Sequence, residues 1–270
     1  MEPVYGPVIA LIKTGYALMG YDISVHGSEH IPTEGGALIA TNHIGYLDFT
    51  FIGYGALRRK RLVRFMAKKE IFDHKLAGPL MRGMKHVPVD RFGRATDAIQ
   101  AGVSILEEGE VLGMFPEATI SRSFMPAPAK TGAARMATLA GVPIVPSAVW
   151  GSQRILTKGR PKNFQRGIAI DVRFGEPIVP NPDQDAGELT DQVMTRVFDL
   201  VDEASRAYPQ SPRSEEDRWW QPAHLGGAAP SMEEARAMAE REAKERRERR
   251  RAERRRERER GEPGNSADTT

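Results

Sequence analysis

The chain contains no cysteine among its 270 residues. Disulfide bonds, a thiol nucleophile and cysteine-ligated metals are therefore excluded, and the absence fits a reducing cytosol without requiring one. The histidines show no paired spacing of the kind that binds a metal, so we predict no metal site. There are six of them: His26, His30, His43, His74, His86 and His224.

Long apolar runs are also lacking. A helix that spans a bilayer needs about 20 consecutive, predominantly apolar residues, and no uninterrupted run of the sequence reaches that length. The nearest candidate extends from Val4 to Met19 and is interrupted by Pro7, Lys13 and Gly15. We predict a short helix there, within residues 1–20, that either lies on a membrane surface or covers the core. The cationic region and cleavage site of a signal peptide are missing as well.

Charge of one sign is not in excess. The 39 Lys and Arg residues oppose 36 Asp and Glu residues, which leaves a net charge of +3. We therefore expect no nucleic-acid partner for the chain as a whole. The hydrophobic content of 40% is sufficient for a buried core, and the abundance of arginine, alanine and glycine suggests a GC-rich bacterial gene.

The C-terminal segment departs from this balance. Ser231 and Glu234 have the spacing of a capping box, which begins a helix. Residues 244–260 carry eleven basic and five acidic side chains, a difference of +6. We predict that residues 231–270 form a charged tail, either a solvated helix or disordered. Binding to an anionic lipid surface and binding to nucleic acid stay open as further roles.

From residue 21 onward, β-rich runs alternate with helical patterns. Strands are predicted at residues 36–40, 62–67, 86–89, 111–115, 142–150 and 167–174. Helices are predicted at residues 47–57, 71–81, 95–108, 130–140 and 189–208. This alternation is typical of an α/β domain with helices on both faces of a sheet. Pro143 and Pro146 favour an edge or bulged position for their strand.

A His-x-x-x-x-Asp pattern follows the first of these predicted strands. His43 comes just after the strand and Asp48 begins the next helix, so the carboxylate can reach back across one turn to the imidazole. It would then fix the tautomer and stabilise the imidazolium, as the acid of a Ser-His-Asp triad does. Taken alone, the pattern is better explained by a helix-capping aspartate and a loop histidine.

Three further blocks follow along the chain. Arg91 and Arg94 come after a short predicted strand and before a helix, which suits phosphate binding or an ordinary surface loop. Glu117 and Arg122 follow the next strand, where the sites of α/β proteins gather, although an ordinary strand exit has the same pattern. Residues 141–146 form a rigid apolar turn that is interpreted as core structure.

Taken in this order, the four blocks resemble the glycerol-phosphate and lysophospholipid acyltransferase family. The family pattern is Asn-His-x-x-x-x-Asp, an arginine-containing block, Phe-Pro-Glu-Gly-Thr-Arg-Ser and a Val-Pro-Ile-x-Pro block, and the match covers roughly residues 35–150. The resemblance implies a mixed β-sheet flanked by helices, a glycerol-3-phosphate acyltransferase-like fold. It also implies an acyltransferase domain at residues 1–208, followed by a linker at 209–230.

The resemblance implies roles for individual residues. His43 would remove the proton from an acceptor hydroxyl and Asp48 would orient it, while the oxygen attacks an acyl thioester of coenzyme A or acyl carrier protein. No cofactor is expected beyond this co-substrate. The partners would be a glycerol-phosphate-type lipid and the cytoplasmic face of the plasma membrane, to which the enzyme would bind as a peripheral or monotopic protein. Substrate binding would fall to Lys69, Arg91, Arg94, Glu117 and Arg122.

The third block departs from the family pattern. Ile120 stands where arginine is usual, and Arg122 or Lys130 can substitute for it. Ala118 replaces a glycine, so we expect its backbone to avoid positive φ. These departures leave the acceptor open among glycerol 3-phosphate, a 1-acyl glycerol phosphate and another hydroxylated or amine acceptor. A non-catalytic membrane scaffold is the alternative of a different class.

Overall fold

Seven strands form one mixed sheet within residues 3–90 and 93–261, the part of the chain that this computed structural model describes. In chain order β1 to β7 are Asp22–His26, Ala37–Thr41, Val63–Lys68, Val87–Val89, Val111–Met114, Ile144–Trp150 and Ala169–Phe174. The order across the sheet is β1-β7-β6-β2-β5-β3-β4. Only β6 and β7 pair antiparallel, and the other neighbours pair parallel. The mixed α/β fold is therefore confirmed.

Helices cover both faces of this sheet. In chain order α1 to α8 are Tyr5–Met19, Asp48–Ala56, Lys69–Phe72, Ala77–Gly83, Ala95–Glu107, Gly132–Ala140, Ala186–Arg206 and Met232–Gly261. For α8, side chains are described as far as residue 253. Helices α5, α6 and α7 pack side by side and form one layer.

The last strand shows how the two faces differ. On β7, Phe174 lies against Gly55 of α2, whereas Arg173 points the other way and pairs with Glu203 of α7. Successive side chains of a strand face opposite sides, so α2 and α7 lie on opposite faces. Asp171 and Arg173 are buried as an ion pair 2.8 Å apart. The alternation predicted for residues 167–174 is thus present in β7. Helices cover its polar face as well as its apolar face.

One predicted helix differs from the structure, and one strand was not predicted. The helix expected at 71–81 is broken into α3 and α4, because the His74 ring accepts hydrogen bonds from the main-chain N–H groups of Leu76 and Ala77 at the start of α4. The edge strand β1 was not predicted, although its sequence alternates polar and apolar residues.

Pro143 comes just before β6, and Pro146 lies within it. Pro146 does not lie at an edge, since β6 pairs with both β2 and β7. The edge interpretation was wrong and the bulge interpretation was right. Ser147 pairs with Phe174, whereas Ile144 pairs with Ile178. Two residues of β6 therefore face three residues, 175–177, of the opposite segment. The extra residue of the bulge belongs to that segment, and Pro146 lies opposite it, where a missing N–H is tolerated.

Helix α1 covers the core through two tyrosines. The Tyr5 hydroxyl donates to the Val63 carbonyl over 2.6 Å, and the Tyr16 hydroxyl donates to Thr50 over 2.6 Å. The outer face of α1 exposes Leu11 and Leu18. In the described part of the chain, no helix has the length and apolar composition needed to span a bilayer.

Helix α8 begins at the capping box that the sequence predicts. The Ser231 main-chain N–H donates to the Glu234 carboxylate over 2.8 Å, and the Glu234 N–H donates back to the Ser231 hydroxyl over 3.2 Å. The preceding segment packs on the body of the protein, since Trp220 is buried beneath the Arg154 guanidinium, 4.5 Å from its ring centre. The division into domain, linker and tail stays a prediction.

Candidate active site

The carboxyl ends of four parallel strands meet at one edge of the sheet. Strand β2 leads to His43, β5 to Glu117, β3 to Lys69 and β4 towards Arg94. Parallel neighbours lie about 4.8 Å apart, so β3 and β4 are about 10 and 14 Å from β2. The topology therefore gathers the predicted residues at one edge, with His43 and Glu117 on adjacent strands.

His43 and Asp48 are hydrogen-bonded as the sequence predicts. The His43 Nδ1 atom lies 2.9 Å from Asp48 Oδ2. An ionised carboxylate can only accept, so we assign the proton to Nδ1, which leaves Nε2 as the basic nitrogen. In the part of the chain that the structure describes, no hydrogen bond to Nε2 is found. The imidazole is one-fifth exposed, so a substrate hydroxyl can approach it.

Asp48 is completely buried, and its two oxygens are fully engaged. Besides His43, Oδ2 accepts from the main-chain N–H groups of Ile44 and Gly45 over 2.7 and 2.8 Å. Oδ1 accepts from the Ser152 hydroxyl over 2.5 Å. Asp48 is also the first residue of α2, where the helix dipole favours a negative charge. These contacts fix the carboxylate behind the imidazole.

Aromatic side chains hold the histidine ring from the side. Phe115 stacks on His43 with ring centres 4.1 Å apart and planes inclined by 26°. Phe65 stacks on Phe115 in turn, 6.0 Å away. The stack restricts the ring to one plane and excludes water from one of its faces.

Glu117 is buried beneath residues 42–45, the loop that carries His43. One of its oxygens accepts from the main-chain N–H of His43 over 2.9 Å, and the other accepts from the N–H of Ala127 over 2.9 Å. Burial raises the pKa of Glu117 to about 8, although the hydrogen bonds from Ala127 and His43 act to lower it. In this structure Glu117 thus fixes the main chain that carries His43.

Three residues complete the loop's support: Asn42, which the motif includes without a role of its own, and Ser152 and Thr157, which sequence reasoning missed. Asn42 donates to the Val149 carbonyl and accepts from the Val149 N–H, over 3.0 and 2.9 Å, and so ties the end of β2 to β6. Thr157 donates to the Ile44 carbonyl over 2.6 Å, and Ser152 donates to Asp48. The one available signal for Ser152 was its position directly after a buried strand.

Comparison with known proteins supports the same chemistry. A family model described as acyltransferase matches residues 22–150. The 1-acyl-sn-glycerol-3-phosphate acyltransferase of Bacillus subtilis is 33% identical over 143 residues, which are 52% of this chain and 70% of that protein. The chain belongs to the acyltransferase family. It is therefore an enzyme that transfers acyl groups.

Two other similar proteins extend the comparison. The 1-acyl-sn-glycerol-3-phosphate acyltransferase of Limnanthes douglasii is 30% identical over 187 residues, 68% of this chain and 63% of that protein. The crystal structure of the 1-acyl-sn-glycerophosphate acyltransferase of Thermotoga maritima superposes with a TM-score of 0.63 at 23% identity, covering 76% of this chain and 81% of that one. The similarity to the Thermotoga maritima structure shows that the two proteins share a fold.

The departures of this acyltransferase from the family pattern have structural consequences. Ile120 is buried, so the position where the family has arginine is filled here by a core side chain. The expectation for Ala118 was wrong, because its φ is +57°. The turn in which the Ala118 N–H donates to the Phe115 carbonyl is retained, and an alanine adopts the left-handed conformation at a cost of about 1–2 kcal/mol.

The predicted cationic residues lie at different places around the site. Lys69 begins α3 and is exposed. Arg94 is mostly exposed and pairs with Asp97 at 3.2 Å. Arg91 lies outside the described residues. Arg122 is half-buried and bound to Glu242 of α8. Within the described ranges, no cluster of three or more His, Asp or Glu residues has a geometry that could hold a metal ion.

Proposed function

We propose that this acyltransferase moves a fatty acyl group from an acyl thioester to the free hydroxyl of a lysophosphatidate or other glycerol-phosphate acceptor. The observation that carries the proposal is the His43–Asp48 pair at the carboxyl edge of the sheet. The relatives from Bacillus subtilis and Limnanthes douglasii are named for acylation of 1-acyl-sn-glycerol 3-phosphate, which supports the choice of acceptor.

In the proposed mechanism, His43 Nε2 takes the proton of the acceptor hydroxyl as its oxygen attacks the thioester carbonyl. The new C–O bond forms, the C–S bond breaks, and the imidazolium returns the proton to the departing thiolate. Asp48 holds the Nδ1–H tautomer and stabilises the imidazolium. The donor is acyl-CoA or acyl carrier protein, and the chain's lack of cysteine agrees with direct transfer without a thioester on the enzyme.

The cationic residues at the carboxyl edge are proposed to attract the anionic acceptor towards the site. Lys69 follows β3 and Arg94 follows β4, at the same edge as His43, and Arg91 comes between β4 and Arg94 in the sequence. These charges would draw the phosphorylated acceptor to this edge, where its glycerol hydroxyl can reach the imidazole.

The acyl chain is proposed to lie in an apolar groove between α1, α2 and β3. Its lining includes Ile9, Ile12, Phe49, Tyr54 and Phe65. Phe65 also stacks on Phe115, the ring that covers His43. The groove therefore begins one aromatic ring away from the proposed base, and burial of the chain's methylene groups there would be favourable.

The proposed location is the cytoplasmic face of the plasma membrane, with the protein bound peripherally. The acceptor is an amphiphile that resides in a bilayer. Leu11 and Leu18 on the outer face of α1 and the basic residues 244–260 provide apolar and electrostatic contributions to surface binding.

The decisive experiment measures transfer from radiolabelled acyl-CoA and acyl carrier protein to a panel of acceptors. The panel contains glycerol 3-phosphate, 1-acyl glycerol 3-phosphate and lysolipids without a terminal phosphate, since the buried Ile120 in place of arginine favours a second candidate, a different lipid acceptor. His43→Ala should lower kcat by about 10²–10⁴-fold, while the exposed His26→Ala serves as control. Near-normal turnover of folded His43→Ala would refute the general-base role.

A further inference from the structure

Two cations of the body converge on one carboxylate of α8. Arg122 donates to Glu242 Oε1 from Nη2 over 2.7 Å and from Nε over 3.2 Å. Lys158 binds the other oxygen of the same carboxylate. These three residues are separated by up to 120 positions in sequence, so the tertiary fold alone brings them together.

The two cations flank the loop that carries the proposed base. Ser121, which precedes Arg122, donates its main-chain N–H to the His43 carbonyl over 2.8 Å. Thr157, which precedes Lys158, donates its hydroxyl to the Ile44 carbonyl over 2.6 Å. Each cation is therefore one residue away from a direct contact with the catalytic loop.

The geometry around the two cations is that of an anion site. Arg122 and Lys158 are only 30% and 27% exposed, and a glycine with φ +76°, Gly159, lets the guanidinium approach the main chain closely. Two positive charges held together in a partly desolvated place repel each other unless an anion lies between them. Burial alone would raise the pKa of Glu242, but its hydrogen bonds to Lys158 and Arg122 lower it overall.

Glu242 occupies that site in this structure, and the part of α8 around it makes few other contacts with the body of the protein. Among the α8 side chains described, which end at residue 253, only Ala235 is buried. Beyond Ala243 nearly all of them are exposed. Little of this half of α8 is buried against the body, so an anion that competes for Arg122 and Lys158 can displace Glu242.

We propose that Arg122 and Lys158 form a binding site for a phosphate monoester beside His43, and that Glu242 closes this site until the acceptor displaces it. The inference deepens the proposed function and rests on a phosphate-bearing acceptor. A phosphate monoester carries up to two negative charges and three acceptor oxygens, whereas the Glu242 carboxylate has one charge and two oxygens. A phosphate also binds an arginine side chain through two parallel hydrogen bonds. The cation that Ile120 does not supply thus comes from Arg122 and Lys158.

Direct binding tests this assignment without any acyl transfer. Inorganic phosphate and, separately, glycerol 3-phosphate are titrated calorimetrically into the full chain, as wild type, Glu242→Gln and Glu240→Gln. Glu240 is an exposed α8 carboxylate that pairs with Arg236 and serves as the matched control. We expect Glu242→Gln to bind phosphate about tenfold more tightly or better, which corresponds to at least about 1.4 kcal/mol, and Glu240→Gln to bind as wild type does.

A second set of variants identifies the cations. In the Glu242→Gln background, Arg122→Ala and Lys158→Ala should each abolish the gained affinity. An unchanged affinity in Glu242→Gln, or a gain that survives Arg122→Ala, would overturn the inference. Absence of acyl transfer to phosphate acceptors, with phosphate binding behaving as expected, would instead refute the proposed function.

Discussion

Ser152 donates a 2.5 Å hydrogen bond to Asp48, although 104 positions separate the two residues in sequence. Ser152 follows the central strand β6, whereas Asp48 follows the adjacent strand β2. The contact supplies a donor to Oδ1 of Asp48, the oxygen to which residues 43–45 donate no hydrogen bond. The orientation of His43, the proposed base, therefore depends on residues that follow both β2 and β6.

Variants of Asp48 and Ser152 test how much the orientation of His43 contributes to turnover, because both variants keep the imidazole itself. Asp48→Asn would set an amide against the N–H groups of Ile44 and Gly45 and favour the wrong tautomer, so kcat should fall by about 10²–10⁴-fold. Ser152→Ala leaves the carboxylate in place and should lower kcat less, with about 1–3 kcal/mol of stability lost.

The measurements are steady-state kinetics and urea unfolding. Ser104→Ala is the control, because that hydroxyl donates only to its own helix at an exposed position. Equal turnover of Asp48→Asn and wild type would show that the carboxylate does not orient the base.

The buried Glu117 predicts a pH-dependent stability. Its pKa is raised from 4.5 to about 8, chiefly by burial, so the folded chain binds this proton more tightly than the unfolded chain. Its contribution is complete below about pH 4.5 and is lost as pH rises towards 8. Denaturant unfolding across this window should show a free energy of unfolding that falls with pH, and Glu117→Gln should flatten that slope. A slope unchanged by Glu117→Gln would contradict the assignment.

Ala118 predicts a stabilising substitution next to the site. Its φ of +57° is unfavourable for any side chain with a Cβ atom. Ala118→Gly should therefore raise the free energy of unfolding by about 1 kcal/mol while kcat stays within about twofold. Ala98→Gly in α5 is the matched control and should lower stability by about the same amount. Thermal unfolding checks both, and a destabilised Ala118→Gly would show that the methyl group is needed.

The C-terminal helix predicts charge-dependent membrane binding. Deletion of residues 231–270 should weaken sedimentation with vesicles that contain phosphatidylglycerol and leave binding to pure phosphatidylcholine vesicles unchanged. The reason is the net charge of +6 on residues 244–260, each cation contributing about 1 kcal/mol near an anionic surface. Added salt should reduce the difference. Equal binding by the truncated and full chains would exclude the tail as an anchor.

Local sequence patterns predicted most of the elements. Apolar periodicity located α5 and α7, Gly141 marked the end of α6, and the spacing of Ser231 and Glu234 located the start of α8. These features depend on neighbours a few residues away, so they can be read from the chain directly. The edge assignment of β6 failed because strand order depends on non-local pairing, and the bulge opposite Pro146 allowed a proline in a central strand.

The sequence by itself determined the His43–Asp48 pair, since five positions across a strand-to-helix turn bring the two groups together. It also determined the absence of thiol chemistry and the family resemblance. The tertiary structure decided what lies behind and around that pair: Ser152 on Asp48, Glu117 under the loop, and Glu242 on Arg122. Those contacts join segments 74 to 120 residues apart, and only the folding of the sheet and the docking of α8 set their distances.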